Sequence, residues 1–194
     1  MSKCFRSGFT LIELMVTLAV AAILATLAVP AFRDVYINNN TAAIANDFTG
    51  SILRARSAAA SRNMCVVMCR SETTSKPVTS TSGPECVQKV NQDWMSGWLI
   101  FGNPECDSGL TVPAQGQLIG IVTPARPNFT LKHNSDGGTG QDYLMFSALG
   151  YPRQGDVGSY DLQYRKEVRD SNRKICLSSI GNVAIVALKG GVCP

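Results

Sequence analysis

Histidine is almost missing from this chain: 194 residues contain only His133. One imidazole leaves a Cys2His2 zinc site unavailable. His133 also sits in the Gly/Asn-rich stretch "HNSDGGTG" (133–140), with no recognisable triad context to make it a nucleophile's base. Charge is sparse as well. Charged residues are 16% of the chain and the net charge is +4, falling to about +2 if Lys3 and Arg6 are set aside, which is no nucleic-acid footprint. No glycine-rich phosphate loop precedes a helix, because "GGTG" (137–140) lies between two strand candidates. Asp156 and Asp161 read as solvated acids in turns. No internal repeat is visible. The residues therefore describe no enzyme, no cofactor and no metal site.

What is present is unevenly spread. Hydrophobic residues make up 45% of the chain, and a run from Phe9 to Val29 is long enough to cross a bilayer core as a helix. An ordinary secretory signal has a shorter apolar core of roughly 7–15 residues, so "ATLAVPA" is a poor cleavage site of that kind. Lys3 and Arg6 precede the run and orient the N-terminus toward the cytosol, with everything after Pro30 exported. The seven cysteines agree with that topology. Cys4 stands in the basic leader, and the other six lie beyond the run, in a compartment where thiols oxidise. A single-pass anchor accounts for the length and the charge bias, but not for Glu13. That carboxylate lies inside the apolar run, where on insertion scales an acid costs about 2.5–3.5 kcal/mol at a helix centre.

The stretch "GFTLIELMVTLAVAAILATLAVPAF" resembles the N-terminus of type IV pilins and pseudopilins, with a short basic leader (1–8) ending in Gly8. The resemblance implies cleavage of the Gly8–Phe9 bond by prepilin peptidase and methylation of the new Phe9 amine. It also implies that Glu13 pairs with the N-terminus of a neighbouring subunit during assembly. The physics is consistent, since an acid and an amine held in apolar surroundings neutralise each other.

Pro30 interrupts the helical pattern and is expected to kink or loosen it. Beyond it Ile37, Thr41, Ile44, Ala45, Phe48, Ile52, Ala55 and Ala59 recur at helical spacing, predicting an amphipathic helix over 30–61. A helix over 9–61 would be about 80 Å long. The remainder, 62–194, reads as a β-rich head. Its candidate strands are "MCVVMC", "GWLIFG", "QLIGIVT", "NFTLK", "DYLMFS", "YDLQYR", "RKICLSS" and "NVAIVAL", with connections short enough for antiparallel pairing. "SETTSKPVTSTSGP" (71–84) reads as a surface loop.

Within the head, "DWMSGWLIFGN", "FSALGYPR" and "KICLSSIGNVAIV" resemble the FimT/GspH family of minor pilins and pseudopilins. The resemblance implies an α+β type IV pilin fold: a long N-terminal helix, half membrane segment and half amphipathic, beside antiparallel strands in two packed sheets. Six exported cysteines allow fifteen pairings, and sequence does not choose among them. The preferred set is Cys176–Cys193 across the C-terminal strands, Cys69–Cys86 closing the Ser/Thr loop, and Cys65–Cys106. A four-cysteine zinc site using Cys65 and Cys69 would leave two thiols over.

The run "RKEVRDSNRK" offers Arg165, Lys166, Arg169, Arg173 and Lys174 as weak nucleic-acid candidates, with a solvated strand end as the favoured reading. DNA-binding relatives carry Gly-Arg-x-Arg near the C-terminus, where this chain has "GNVA", with Asn182 and Ala184 in the arginine places. Three functions stay open. The favoured one is a FimU- or FimT-like minor pilin that helps initiate pilus assembly, in a tip complex with other pilins. The others are the H-type minor pseudopilin of a type II secretion system and a DNA-binding minor pilin for natural transformation. In each case the chain is expected in the bacterial inner membrane with its head in the periplasm, and then in a pilus or pseudopilus.

Overall fold

The computed structural model describes residues 9–79, 82–87, 93–124, 126–134, 142–167 and 169–194. The leader (1–8) with Gly8, and the "GGTG" stretch, lie outside the described residues. The chain divides into two compact units between Asn39 and Asn40.

Helix α1 (Leu11–Arg62) runs without a break through position 30, so Pro30 does not end it. Thr10 caps its start, its hydroxyl accepting the Glu13 backbone N–H at 3.3 Å. Thr10 and Glu13 have the spacing of a capping box. The other end closes at Asn63, whose φ of 51° is left-handed. There the Met64 N–H bonds to the Ala59 carbonyl at 3.3 Å, the longer of the two bonds of a Schellman motif. The apolar residues of the first half are exposed, from Phe9 and Leu11 to Val35 and Tyr36. All eight residues of the predicted amphipathic stripe are buried.

Each predicted strand stretch contains a strand: β1 (Cys65–Arg70), β2 (Trp98–Asn103), β3 (Leu118–Val122), β4 (Phe129–Asn134), β5 (Tyr143–Phe146), β6 (Gly158–Tyr164), β7 (Arg173–Leu177) and β8 (Val183–Ala187). They form two four-stranded sheets, in the order β3-β2-β1-β5 and β4-β6-β7-β8. Every pairing is antiparallel. A long helix followed by two such sheets is the type IV pilin fold.

In the head unit, Phe48 of α1 is the centre of the core. Its ring meets Trp94, Trp98 and Tyr160 edge to face, with centroids 5.3, 5.3 and 4.8 Å away. The polar end of Trp98 is satisfied by the helix, its indole N–H donating to Ser51 Oγ at 2.9 Å. The β6 pattern alternates, as expected for a sheet with one wet face. Strands β1 and β2 are buried at every position. Their second face carries Cys65, Val67 and Cys69 of β1 with Leu99 and Phe101 of β2, packed with Leu118 of β3 and with Cys86 and Leu110 from the connections. The chain at Cys86 and the connection that carries Leu110 thus roof one sheet.

Candidate functional site

Three places in the chain carry the residues singled out by the sequence. The first is the start of α1. Phe9 is exposed, and Glu13 stands exposed in the first helical turn. Helix α1 is long and apolar enough to cross a membrane. An acid in the first turn complements the helix dipole by about 0.3–1 kcal/mol. That is too little to offset the cost of burying it in lipid without a counter-charge.

The second place is the roofed sheet. Cys65 and Cys106 are joined with an S–S distance of 2.03 Å, and Cys69 and Cys86 with one of 2.02 Å. Cys176 and Cys193 form the third bond, tying the C-terminal tail to β7. The first two bonds fix the roof at both ends. Asn103 holds it between them: its side-chain amide donates to the Asp107 carbonyl at 2.7 Å and its Oδ1 accepts the Asp107 N–H at 3.2 Å. Tyr143 adds a hydroxyl bond to the same carbonyl at 3.2 Å, and burial raises its pKa to about 12.

The third place is the β6–β7 connection. Arg165 and Lys166 both have positive φ, 50° and 57°, and the turn closes with the Glu167 N–H on the Tyr164 carbonyl at 3.0 Å. Two left-handed residues in succession are the φ pattern of a type I′ turn, which favours Asn and Gly. Long side chains there cost about 1–2 kcal/mol each. Buried Asn172 braces the turn, accepting from the Tyr164 N–H at 3.3 Å and donating to the Glu167 carbonyl at 2.6 Å. The guanidinium carbons of Arg165 and Arg169 lie 5.4 and 5.6 Å from the Tyr164 ring centre. Arg169 also pairs with Glu167 at 2.7 Å, and Arg173 donates to the Asp170 carbonyl at 2.7 Å. Lys174 faces Asp161 across β6 and β7.

Two acids and an imidazole differ from their sequence reading, and a third acid had none. Asp156 is buried, not solvated, and accepts the Met145 N–H at 2.8 Å, joining the turn before β6 to β5. Desolvation pushes its pKa up to about 6, against the pull of that hydrogen bond and of Arg153. Asp161 is half-buried; desolvation raises its pKa, with Lys174 and Asn134 pulling the other way. His133 belongs to β4, where burial lowers its pKa and its ring meets Tyr160 at 4.9 Å. Asp93, which nothing in the sequence distinguished, accepts the N–H groups of Met95 at 3.0 Å and Leu131 at 2.7 Å, linking a short 3-10 turn to β4. Among the described residues, no three His, Cys, Asp or Glu side chains are placed to hold a metal ion.

Residues 5–29 match a prokaryotic N-terminal methylation motif, and residues 45–181 match the family described as Type II transport protein GspH. The chain belongs to the GspH family. No curated protein matches it. Two crystal structures of the type IV minor pilin FimU of Pseudomonas aeruginosa (strain PAO1) are similar in fold. One, in space group P21, has a TM-score of 0.55 at 16% identity and covers 76% of this chain and 89% of FimU. The other, in space group P65, has a TM-score of 0.50 at 15% identity, over 73% and 89%. In this GspH-family head Asn182 is exposed and stands beside Arg56 of α1. Its backbone N–H donates to Ser178 Oγ at 3.0 Å, and its Oδ1 lies 3.4 Å from Arg56 of α1. Arg56 also donates to the Gly181 carbonyl at 2.9 Å, so Asn182 stands where the helix meets the start of β8.

Proposed function

We propose that the protein is a minor pilin of a type IV pilus, FimU- or FimT-like, that helps initiate filament assembly in a tip complex with other pilins. The observation that carries this reading is Glu13 at the start of an exposed, membrane-length apolar helix, one turn after Phe9. Prepilin peptidase would cut between Gly8 and Phe9, and the methylated Phe9 amine of one subunit would meet Glu13 of another. Each charge is costly in lipid alone and cheap when paired, so the helix is retained in the membrane until a neighbour supplies the counter-charge. The head would face the periplasm before assembly and the outside afterwards. Three disulfides in a head of this size suit such exposure.

A second reading is the H-type minor pseudopilin of a type II secretion system, favoured by the description of the matched family as a type II transport protein. Deleting the gene separates the two. Loss of surface pili with normal protein secretion supports the pilin; retained pili with lost secretion supports the pseudopilin. In either case the mature protein should begin at Phe9, and N-terminal sequencing that finds residues 1–8 intact in cells with an active prepilin peptidase rejects both.

A further inference from the structure

From Arg165 to Lys189 the chain holds six cations and two acids, a net of +4, whereas the other residues after Gly8 hold ten cations and twelve acids, a net of −2. The positive charge of the mature chain is thus gathered into one part of the second sheet. The fold concentrates it further. A half-open cavity of about 230 Å³ is lined by Leu188 and by six polar residues, Gln163, Lys166, Glu167, Arg169, Asn172 and Lys189. Three cations and one carboxylate face the same space, with two amide side chains beside them.

This arrangement is built, not incidental. Lys166 reaches the cavity from a left-handed turn that the sequence fills with Arg-Lys instead of the favoured Asn-Gly. Strain of that kind, kept in place by a buried Asn172, is the sort of outlier from which a function is inferred. Arg169 is positioned by Glu167 and the Tyr164 ring, and Lys189 comes from the turn after β8. The cavity is large enough for a tetrahedral oxyanion. Planar guanidinium and ammonium donors together are the usual partners of phosphate.

We propose that this cavity is an oxyanion site that takes the phosphate group of an anionic small molecule or lipid headgroup. Arg169 supplies the directed donors, Lys166 and Lys189 supply charge from two sides, and Glu167 keeps the empty site from being excessively positive.

The test uses the full chain in neutral-detergent micelles, titrated with inorganic phosphate at low salt and followed by phosphorus NMR. One saturable site is expected, weakened about tenfold in Lys166→Ala/Lys189→Ala. Both side chains are exposed, so the fold and the disulfides should survive. Arg62→Ala/Lys76→Ala removes the same charge elsewhere and should bind as the wild type does. Displacement of phosphate by phosphatidylglycerol in the micelle assigns the group to a headgroup, and displacement by glucose phosphate alone assigns it to a soluble ester; both support the site. Equal binding by the wild type and the first double variant, or an equal loss in the second, overturns it. Tighter binding of a short duplex oligonucleotide than of tripolyphosphate overturns the small-ligand proposal in favour of nucleic acid.

Discussion

One helix spans two physical regimes. Up to Tyr36, α1 exposes its large apolar side chains on every face, and from Thr41 to Ala59 it buries a single stripe. In the second regime the apolar residues are covered by strands of the same chain. In the first, no covering is supplied by the described residues, so the stability of that half must come from a lipid or another protein. What differs between the halves is the solvent for which each is written. A lone acid has opposite meanings in the two places. In the head, buried Asp156 is satisfied by a backbone N–H, while Glu13 at the other end stands exposed in the apolar half of the helix.

The sharpest way to break this comparison is Glu13→Gln. The variant should insert, be cleaved before Phe9 and fold its head normally, yet enter filaments on the order of a hundredfold less well, as expected when a buried pair loses one charge. Quantifying the protein in sheared filaments checks it, and normal incorporation would remove the contrast. Next in size is Phe48→Ala, which should destabilise the head by about 3–5 kcal/mol because three aromatic rings lose their common neighbour. Urea unfolding followed by tryptophan fluorescence reads it directly, with prepilin cleavage unaffected.

Replacing Cys69 and Cys86 by Ala together should cost about 3 kcal/mol, since that bond closes a 17-residue separation. The Cys65–Cys106 bond spans 41 residues, and its loss should cost about 0.8 kcal/mol more by the same chain-entropy relation. Mass spectrometry of the unreduced mature protein should find no alkylatable thiol.

Asp156 provides a milder test. Its folded pKa, about 6, lies above that of an unfolded aspartate, so the native state binds more protons between about pH 4 and 6. Stability should therefore fall by about 2–3 kcal/mol as pH rises through that window, and be fully present below it. Asp156→Asn keeps an acceptor for the Met145 N–H and should flatten that part of the profile. The smallest effect is expected for Lys166→Gly, which relieves a left-handed residue and should raise head stability by about 0.5–1 kcal/mol.

Periodicity made much of this molecule readable in advance. The stripe of Ile37, Ile44, Phe48, Ile52 and their neighbours is buried as its spacing requires, and every predicted strand stretch holds a strand. Both signals are local: a residue's place on a helix face or a pleat depends on its own neighbours in sequence. The start of α1 was equally legible, because its motif is contiguous. The misreadings share the opposite property. His133 and Asp156 look like loop residues because Gly and Asn stand near them in sequence, whereas their burial comes from Tyr160 of β6 and from the Met145 N–H of β5. The charge of the run 165–174 is legible in composition, but the space that Lys166 and Arg169 share with Lys189 depends on the turn after β8 and on two φ values that composition does not reveal.

From the sequence alone came a membrane-length apolar helix with one misplaced acid, an amphipathic continuation, eight strand-forming stretches and six cysteines beyond the run. Only the tertiary structure decided how those strands divide into two sheets, which loops roof β1 and β2, and which acid loses its water. Propensity and period act over a few residues. Pairing, roofing and desolvation depend on which distant segments meet, and that is settled by packing the whole head at once.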